Sequence, residues 1–195
     1  MNRNRATSTS VKRSDGFSLL EVMFSMVVMT IGLVALLGVM GIAMASTQTS
    51  EELAISKRLA NEALEGILTA RETSQVQWSM IANGTCAVGT GCTTGIFLAG
   101  PQAINLPGPD GIIGTSDDAG AGAQILEQPG ASGVWVGTCP PDICTSLTNY
   151  TRTIAIAPVA GDANLNSVTI TVTYTNPQLR TPQNYVLSTY ISQYR

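Results

Sequence analysis

The chain has 195 residues, of which 44% are apolar, 12% charged and 5% aromatic; that suffices for one modest domain and excludes a large multi-domain enzyme. The charged fraction is about half the roughly 25% of soluble domains, and 19 glycines and 9 prolines add much turn and loop, so a uniform soluble globule is excluded as well. Histidine is absent, which removes the commonest general base, the imidazole of serine triads and the commonest transition-metal ligand.

The charges are unevenly placed along the chain. Arg3, Arg5, Lys12 and Arg13, four of the 10 basic residues, precede a stretch from Val22 to Ser50 with no ionisable side chain. Within it, Val22 to Ala45 is a run of 24 residues whose only polar members are Ser25 and Thr30, and ~20 apolar helical residues cross a bilayer core. A membrane span is therefore expected. The basic leader keeps the N-terminus in the cytoplasm and sends the remainder across. Without residues 1–16 the chain keeps 6 basic and 12 acidic side chains, a net −6, which argues against a phosphate-binding surface and so against a nucleic-acid partner.

One carboxylate, Glu21, interrupts the uncharged stretch that begins at Phe17. An unpaired charge there costs several kcal/mol, so it marks a function. The run Lys12-Arg13-Ser14-Asp15-Gly16-Phe17-Ser18-Leu19-Leu20-Glu21, with the apolar span behind it to about residue 45, resembles the class III signal of type IV prepilins and pseudopilins. The resemblance implies that a prepilin peptidase cuts on the cytoplasmic side between Gly16 and Phe17 and methylates the new amine of Phe17. It also implies that the oily helix stays on the mature protein, unlike an ordinary secretory signal. Glu21 then becomes an assembly residue: its buried carboxylate can be neutralised by the Phe17 amine of a neighbouring subunit, which sets register. Before assembly it can lie at the headgroup boundary, where a helix N-terminus favours an anion.

Gly32, Gly38 and Gly41 lie in the span, and Gly41 with Ala45 forms a small-xxx-small pair that lets helices approach closely. Many pilins carry a proline at the position of Gly38, so this chain departs from them there. The Thr30-Ile31-Gly32-Leu33 run looks more like a minor pilin of the PilV type than a major pilin. Beyond Ser50 the pattern turns amphipathic, with Leu53, Ala60, Leu64 and Ile67 at helical spacing among charged residues. One helix over 17–72 is expected, its part to 45 serving membrane and filament core and its 46–72 part packing a head. A break near Ser46–Ser50 is the alternative, since Ser and Thr are mediocre helix formers.

Residues 73–195 should form an extracytoplasmic, β-rich head. Residues 84–130 hold 11 of the 19 glycines and read as loop, with a short strand at Gly95–Leu98. Val134-Trp135-Val136 suggests a strand. Alternation over Thr151–Pro158, Ser167–Thr175 and Tyr185–Ile191, with turns at Gly161–Asn164 and Asn176–Gln178, predicts an antiparallel meander whose apolar face covers the helix. The fold class is α+β: a long N-terminal α-helix packed on a C-terminal antiparallel sheet, which is also what the pilin resemblance implies.

Four cysteines fall as two close pairs, Cys86 with Cys92 and Cys139 with Cys144. In an exported domain, disulfides are expected over free thiols, with local pairing favoured among three connectivities. A four-thiolate zinc site is the alternative, but the C-x2-C spacing is missing and the compartment is oxidising. The segment Pro107–Asp118 sets Asp110, Asp117 and Asp118 on a tight glycine loop, where three carboxylates can converge on one hard cation. The pattern looks like the calcium loop of major type II secretion pseudopilins. That resemblance implies a structural Ca²⁺ held by Asp110, Asp117 and Asp118, with carbonyl help from Pro107 and Thr115; an ordinary surface turn is the alternative.

No nucleophile-and-base pair, phosphate loop or redox motif is visible, so an enzyme is not expected. The leading reading is a minor type IV pilin in the inner membrane, drawn into a pilus by the assembly platform together with other pilin subunits. A pseudopilin of a type II secretion system, acting in a periplasmic pseudopilus, is the second. A single-span anchored binding protein is the third, and it predicts an unprocessed N-terminus.

Overall fold

The computed structural model describes residues 18–89, 91–127, 144–176 and 181–194. Gly16, Phe17, Cys139, the Val134–Val136 segment and Pro177–Gln178 lie outside the described residues. The architecture is α+β, a long N-terminal helix followed by a four-stranded antiparallel sheet.

Helix α1 runs from Leu19 to Glu72. It begins at Ser18, whose carbonyl accepts hydrogen bonds from the amides of Glu21 and Val22 at 3.0 and 3.2 Å. Its end is a Schellman motif: Gln75 N–H donates to the Ala70 carbonyl and Ser74 N–H to that of Arg71, with Ser74 left-handed at φ 60°. Ser46–Ser50 are helical, so the expected alternative of a break does not occur; weak propensity without Gly or Pro is not enough to interrupt a helix. By contacts the chain divides between Ser46 and Thr47 into two compact units.

In the first unit the apolar side chains of α1 are exposed on every side, from Leu19 at 78% to Met44 at 64%. In the second, Ser56, Leu59, Ala60, Ala63, Ile67 and Ala70 form one buried stripe with the three- and four-residue spacing of a helix face. Leu53, expected on that stripe, is 47% exposed. The first fully buried residue of that face is Ser56, with Ile55 partly buried against the core beside it.

The main sheet has strand order β1 (Gln102–Ala103), β4 (Tyr150–Val159), β5 (Asp162–Thr175) and β6 (Pro182–Ser192), all antiparallel. Ile154 pairs with Ile170 and Ile156 with Val168, while Ile170 pairs with Leu187 and Val172 with Tyr185. Period-two alternation turns these side chains to one face, where they join the helix stripe, Ile81, Ile96 and Phe97 in a single hydrophobic cluster. The opposite face carries hydroxyls and amides, with Thr169 facing Ser188 at 3.2 Å and Thr173 donating to Asn184 Oδ1 at 2.8 Å. Tyr150 and Tyr174 stack with centroids 5.7 Å apart.

Several details differ from the sequence expectation. The β4–β5 connection is the two-residue turn Ala160–Gly161, because Val159 already pairs with Asp162. Gly161 supplies the φ of +89° that a tight hairpin needs, and Asp162–Asn164 are strand rather than turn. Gly95–Leu98 is not a strand: Phe97 makes one isolated bridge to Asn83. The Asn83 side chain explains this, since it donates to the carbonyls of Phe97 and Ile154 and accepts from Ile156 N–H at 2.7 Å, serving the β4 edge in place of a strand. A small second sheet pairs β2 (Ile125–Glu127) with β3 (Cys144–Ser146). Cys86 and Cys92 form a disulfide. Cys144 is also disulfide-bonded, its partner lying outside the described residues.

Candidate processing signal and acidic loop

Two places carry the residues singled out by the sequence. At the start of α1, Glu21 lies in the first helical turn, where the unpaired N–H groups and the helix dipole favour an anion. The two polar residues of the following run are self-satisfied: Ser25 donates to the Glu21 carbonyl at 2.7 Å and Thr30 to that of Val27 at 2.8 Å. An 18-residue window of this helix has a mean hydropathy of 2.5 and none of it is buried within the chain. Glu21 is then the sole ionisable group between Leu19 and Ser50.

The second place is the loop before β2. It brings carboxylate oxygens of Asp110, Asp117 and Asp118 within 4.8 Å of one another. Backbone amides hold them there. Asp118 accepts from Gly108 N–H at 2.9 Å and from Gly114 N–H at 2.6 Å. Asp117 accepts from Asp110 N–H at 3.1 Å and from the Thr115 hydroxyl. Asp110 accepts from Ile112 N–H at 2.8 Å through Oδ1, while its Oδ2 is buried without a partner. Gly108 is required for this packing, since a Cβ there would lie 2.4 Å from the Asp117 carboxyl carbon. Gln75, just past α1, donates its amide to the Asp110 carbonyl and ties the loop to the helix end.

Electrostatics in the loop are strained by burial. Burial pushes the Asp110 carboxyl above its ordinary range, as does repulsion from Asp117 and Asp118, against the opposing Ile112 N–H and Thr115 hydroxyl. Burial also raises Asp118, outweighing the amides of Gly114 and Gly108 and the attraction of Arg152. For Asp117 burial acts the same way but loses to the hydrogen bonds from Thr115 and Asp110, and its pKa falls. A site in which two of three clustered carboxylates resist ionisation suits a hard cation that would supply the missing charge.

The sequence reading missed Arg152, which is 2% exposed. It stands on the inward face of β4, between Tyr150 and Ile154 in the alternation. Burial lowers its pKa and the negative charges of Glu62 and Asp118 oppose that change. Glu62, on α1, in turn accepts two hydrogen bonds from the Gln124 amide at 2.9 and 3.1 Å. The acidic loop is thus coupled electrostatically through Arg152 to the second half of α1. Extending the period-two pattern one step back from Ile154 would have found it.

Residues 11–37 match the family model described as the prokaryotic N-terminal methylation motif. No curated protein and no solved structure matches the chain. The matched segment includes Gly16, Phe17 and Glu21 and the first half of the exposed apolar helix, and the motif implies processing by a prepilin peptidase and assembly with pilin subunits. Among the described residues, one helix, near the N-terminus, is long and apolar enough to cross a membrane, which fits membrane anchoring, and the motif points to a structural protein. The chain thus carries a prokaryotic N-terminal methylation motif, the type IV prepilin-like signal, at the head of a long helix in an α+β fold.

Proposed function

We propose that the chain is a minor type IV pilin, a non-enzymatic subunit cleaved after Gly16, methylated on Phe17, and drawn from the inner membrane into a pilus or its priming complex. The observation that carries this reading is the methylation motif at residues 11–37 leading straight into an exposed apolar helix with one carboxylate in its first turn. Mass spectrometry of the mature N-terminus is the test: it should begin with N-methylated Phe17. An intact Met1 or an unmodified leader on the membrane-extracted protein would sink the pilin reading and favour an anchored binding protein. Deletion then separates the two filament systems, lost piliation or twitching supporting the pilus.

The acidic loop favours the second reading, a pseudopilin of a type II secretion system, for which deletion should abolish export of secreted enzymes. In either system Asp110, Asp117 and Asp118 would hold a structural Ca²⁺, supported by their convergence and by the unpartnered Asp110 Oδ2. Ca²⁺ bound to the folded chain alone raises its melting temperature. The full-length chain in detergent should melt several degrees higher in millimolar Ca²⁺ than in chelator, and Asp110→Asn should abolish that difference. The pH dependence has a definite sign. In chelator, Asp110 and Asp118, raised in the folded state, contribute stability that is present at acid pH and lost as pH rises through their folded pKa values; Asp117, lowered, opposes them. Ca²⁺ should therefore stabilise most at neutral pH and least in the acid range. Equal melting with ion and chelator at neutral pH would leave the loop an ordinary turn.

A further inference from the structure

A cleft of about 560 Å³ opens where α1 ends, between the turn that leaves the helix and the residue after β6. Neither the processing signal nor the acidic loop contributes a residue to it, and its volume lies within the roughly 300–1,000 Å³ of small-molecule sites. Its apolar surface is Trp78 with the buried Val76. The indole packs partly against the core and its Nε1–H donates to the Ala163 carbonyl at 3.4 Å, which holds the ring before any ligand arrives. Main-chain groups at the rim are already engaged. The Ser192 carbonyl accepts from Arg71 Nη1 at 2.8 Å, Gln193 N–H donates to the Asn164 carbonyl at 2.7 Å, and the Gln77 carbonyl accepts from Met80 N–H at 2.9 Å. Arg71 also has a counter-charge, Glu72 Oε1 at 3.8 Å from its Nη2. Among the described residues no carboxylate lines the cleft. Three neutral, exposed side chains are left, Gln77, Ser79 and Gln193, which hold no hydrogen bond among the described residues.

We infer that this cleft binds a neutral saccharide, one pyranose ring laid on Trp78 and its hydroxyls met by Gln77, Ser79 and Gln193. The lining selects that chemistry by what it lacks and by what it offers. A cation finds no carboxylate in it, and an anion must draw Arg71 away from Glu72. A wholly apolar ligand would strip water from three polar side chains and return no hydrogen bond. An extended peptide recognised by strand addition needs free main-chain groups, and those at the rim are taken. A pyranose meets both remaining features. Its axial C–H groups carry partial positive charge to the electron-rich face of the indole, and its hydroxyls, which both donate and accept, match amide and hydroxyl partners. Gln77 and Ser79 flank Trp78 in the chain, so two of the three polar partners stand beside the aromatic platform.

The test is saturation-transfer NMR on the full chain in a zwitterionic, sugar-free detergent, with cellobiose, lactose and N,N′-diacetylchitobiose as probes. At least one should receive saturation, strongest at the C–H protons of one ring face, with a dissociation constant on the order of 1 mM. Trp78→Ala should abolish the signal. Because that variant also removes packing from the core, Gln77→Ala combined with Gln193→Ala is the second: both side chains are exposed, so the melting temperature should hold while the dissociation constant rises at least fivefold. Silence from all three sugars, a signal unmoved by the double variant, or tighter binding of glucuronate or of trialanine than of any neutral sugar would each overturn the inference. Retention on cellulose or chitin particles that the double variant loses supports it and makes a polysaccharide surface the source of the ligand; binding of the disaccharide without retention supports it for a free sugar. The purified chain serves whatever its N-terminus, so this outcome stands apart from that of the proposed function.

Discussion

Glu21→Ala should leave the chain in the membrane and processed at its leader, yet lower its recovery in filaments at least tenfold. The helix that holds Glu21 is apolar on every side, with Leu19, Leu20 and Phe24 exposed around it, so membrane retention has no need of the carboxylate. Insertion is driven by the run that follows, which remains intact. What the substitution removes is the one group able to pair with a neighbour's N-terminal amine in surroundings where an unpaired charge costs several kcal/mol. A tenfold loss corresponds to only about 1.4 kcal/mol, well below that cost. Glu21→Gln, which keeps the size and loses the charge, should behave like the alanine variant, while Glu21→Asp should retain part of the recovery. Equal recovery of Glu21→Ala and the parent from sheared filaments would remove the pairing argument.

Arg152→Met should destabilise the head by about 3 kcal/mol, lowering the melting temperature by roughly 6–12 °C for a chain of this size. Arg152 is almost wholly buried and is attracted by both Glu62 and Asp118. Methionine fills similar volume, so the effect reports charge rather than a cavity. Removing the guanidinium takes away the cation whose charge attracts both carboxylates, leaving them the Gln124 amide and the amides of Gly108 and Gly114. Adding Glu62→Gln to Arg152→Met should recover part of the loss, a coupling that a double-mutant cycle measures directly. A methionine variant that melts with the parent or above it would show that burying this charge costs as much as it returns.

The parts of the fold that were legible in the sequence are those with long, regular periodicity. The apolar run, the helical spacing of Ala60, Leu64 and Ile67, and the alternation through Val168, Ile170, Val172 and Tyr174 each repeat over several residues, and packing against one face enforces the pattern. The acidic loop was legible as a set of residues because Asp110, Asp117 and Asp118 are close in sequence. Its construction was not, since Gly108 and Gly114 bind the carboxylates through backbone amides, which every residue but proline carries, and the close approach that excludes a Cβ at Gly108 leaves no mark in the residue pattern. Features that depend on distant partners left no local trace. Asn83 works as a surrogate strand only because β4 passes beside it, and the β2–β3 pair joins segments separated by residues 128–143. Arg152 was hidden by chemistry: a cation in an alternating strand reads as solvent-facing until its inward register is known.

The hydroxyls of Ser25 and Thr30 have a further consequence for the life of the N-terminal helix. Because each is already bonded to a carbonyl of its own helix, neither demands a new donor or acceptor when the surroundings change from acyl chains to the flanks of other helices. In the proposed filament, the segment from Leu19 to Ser46 would therefore exchange one surrounding for another of nearly equal polarity, an almost neutral transfer for every residue except Glu21. The direction of that transfer would then rest on this one carboxylate and the amine proposed to meet it.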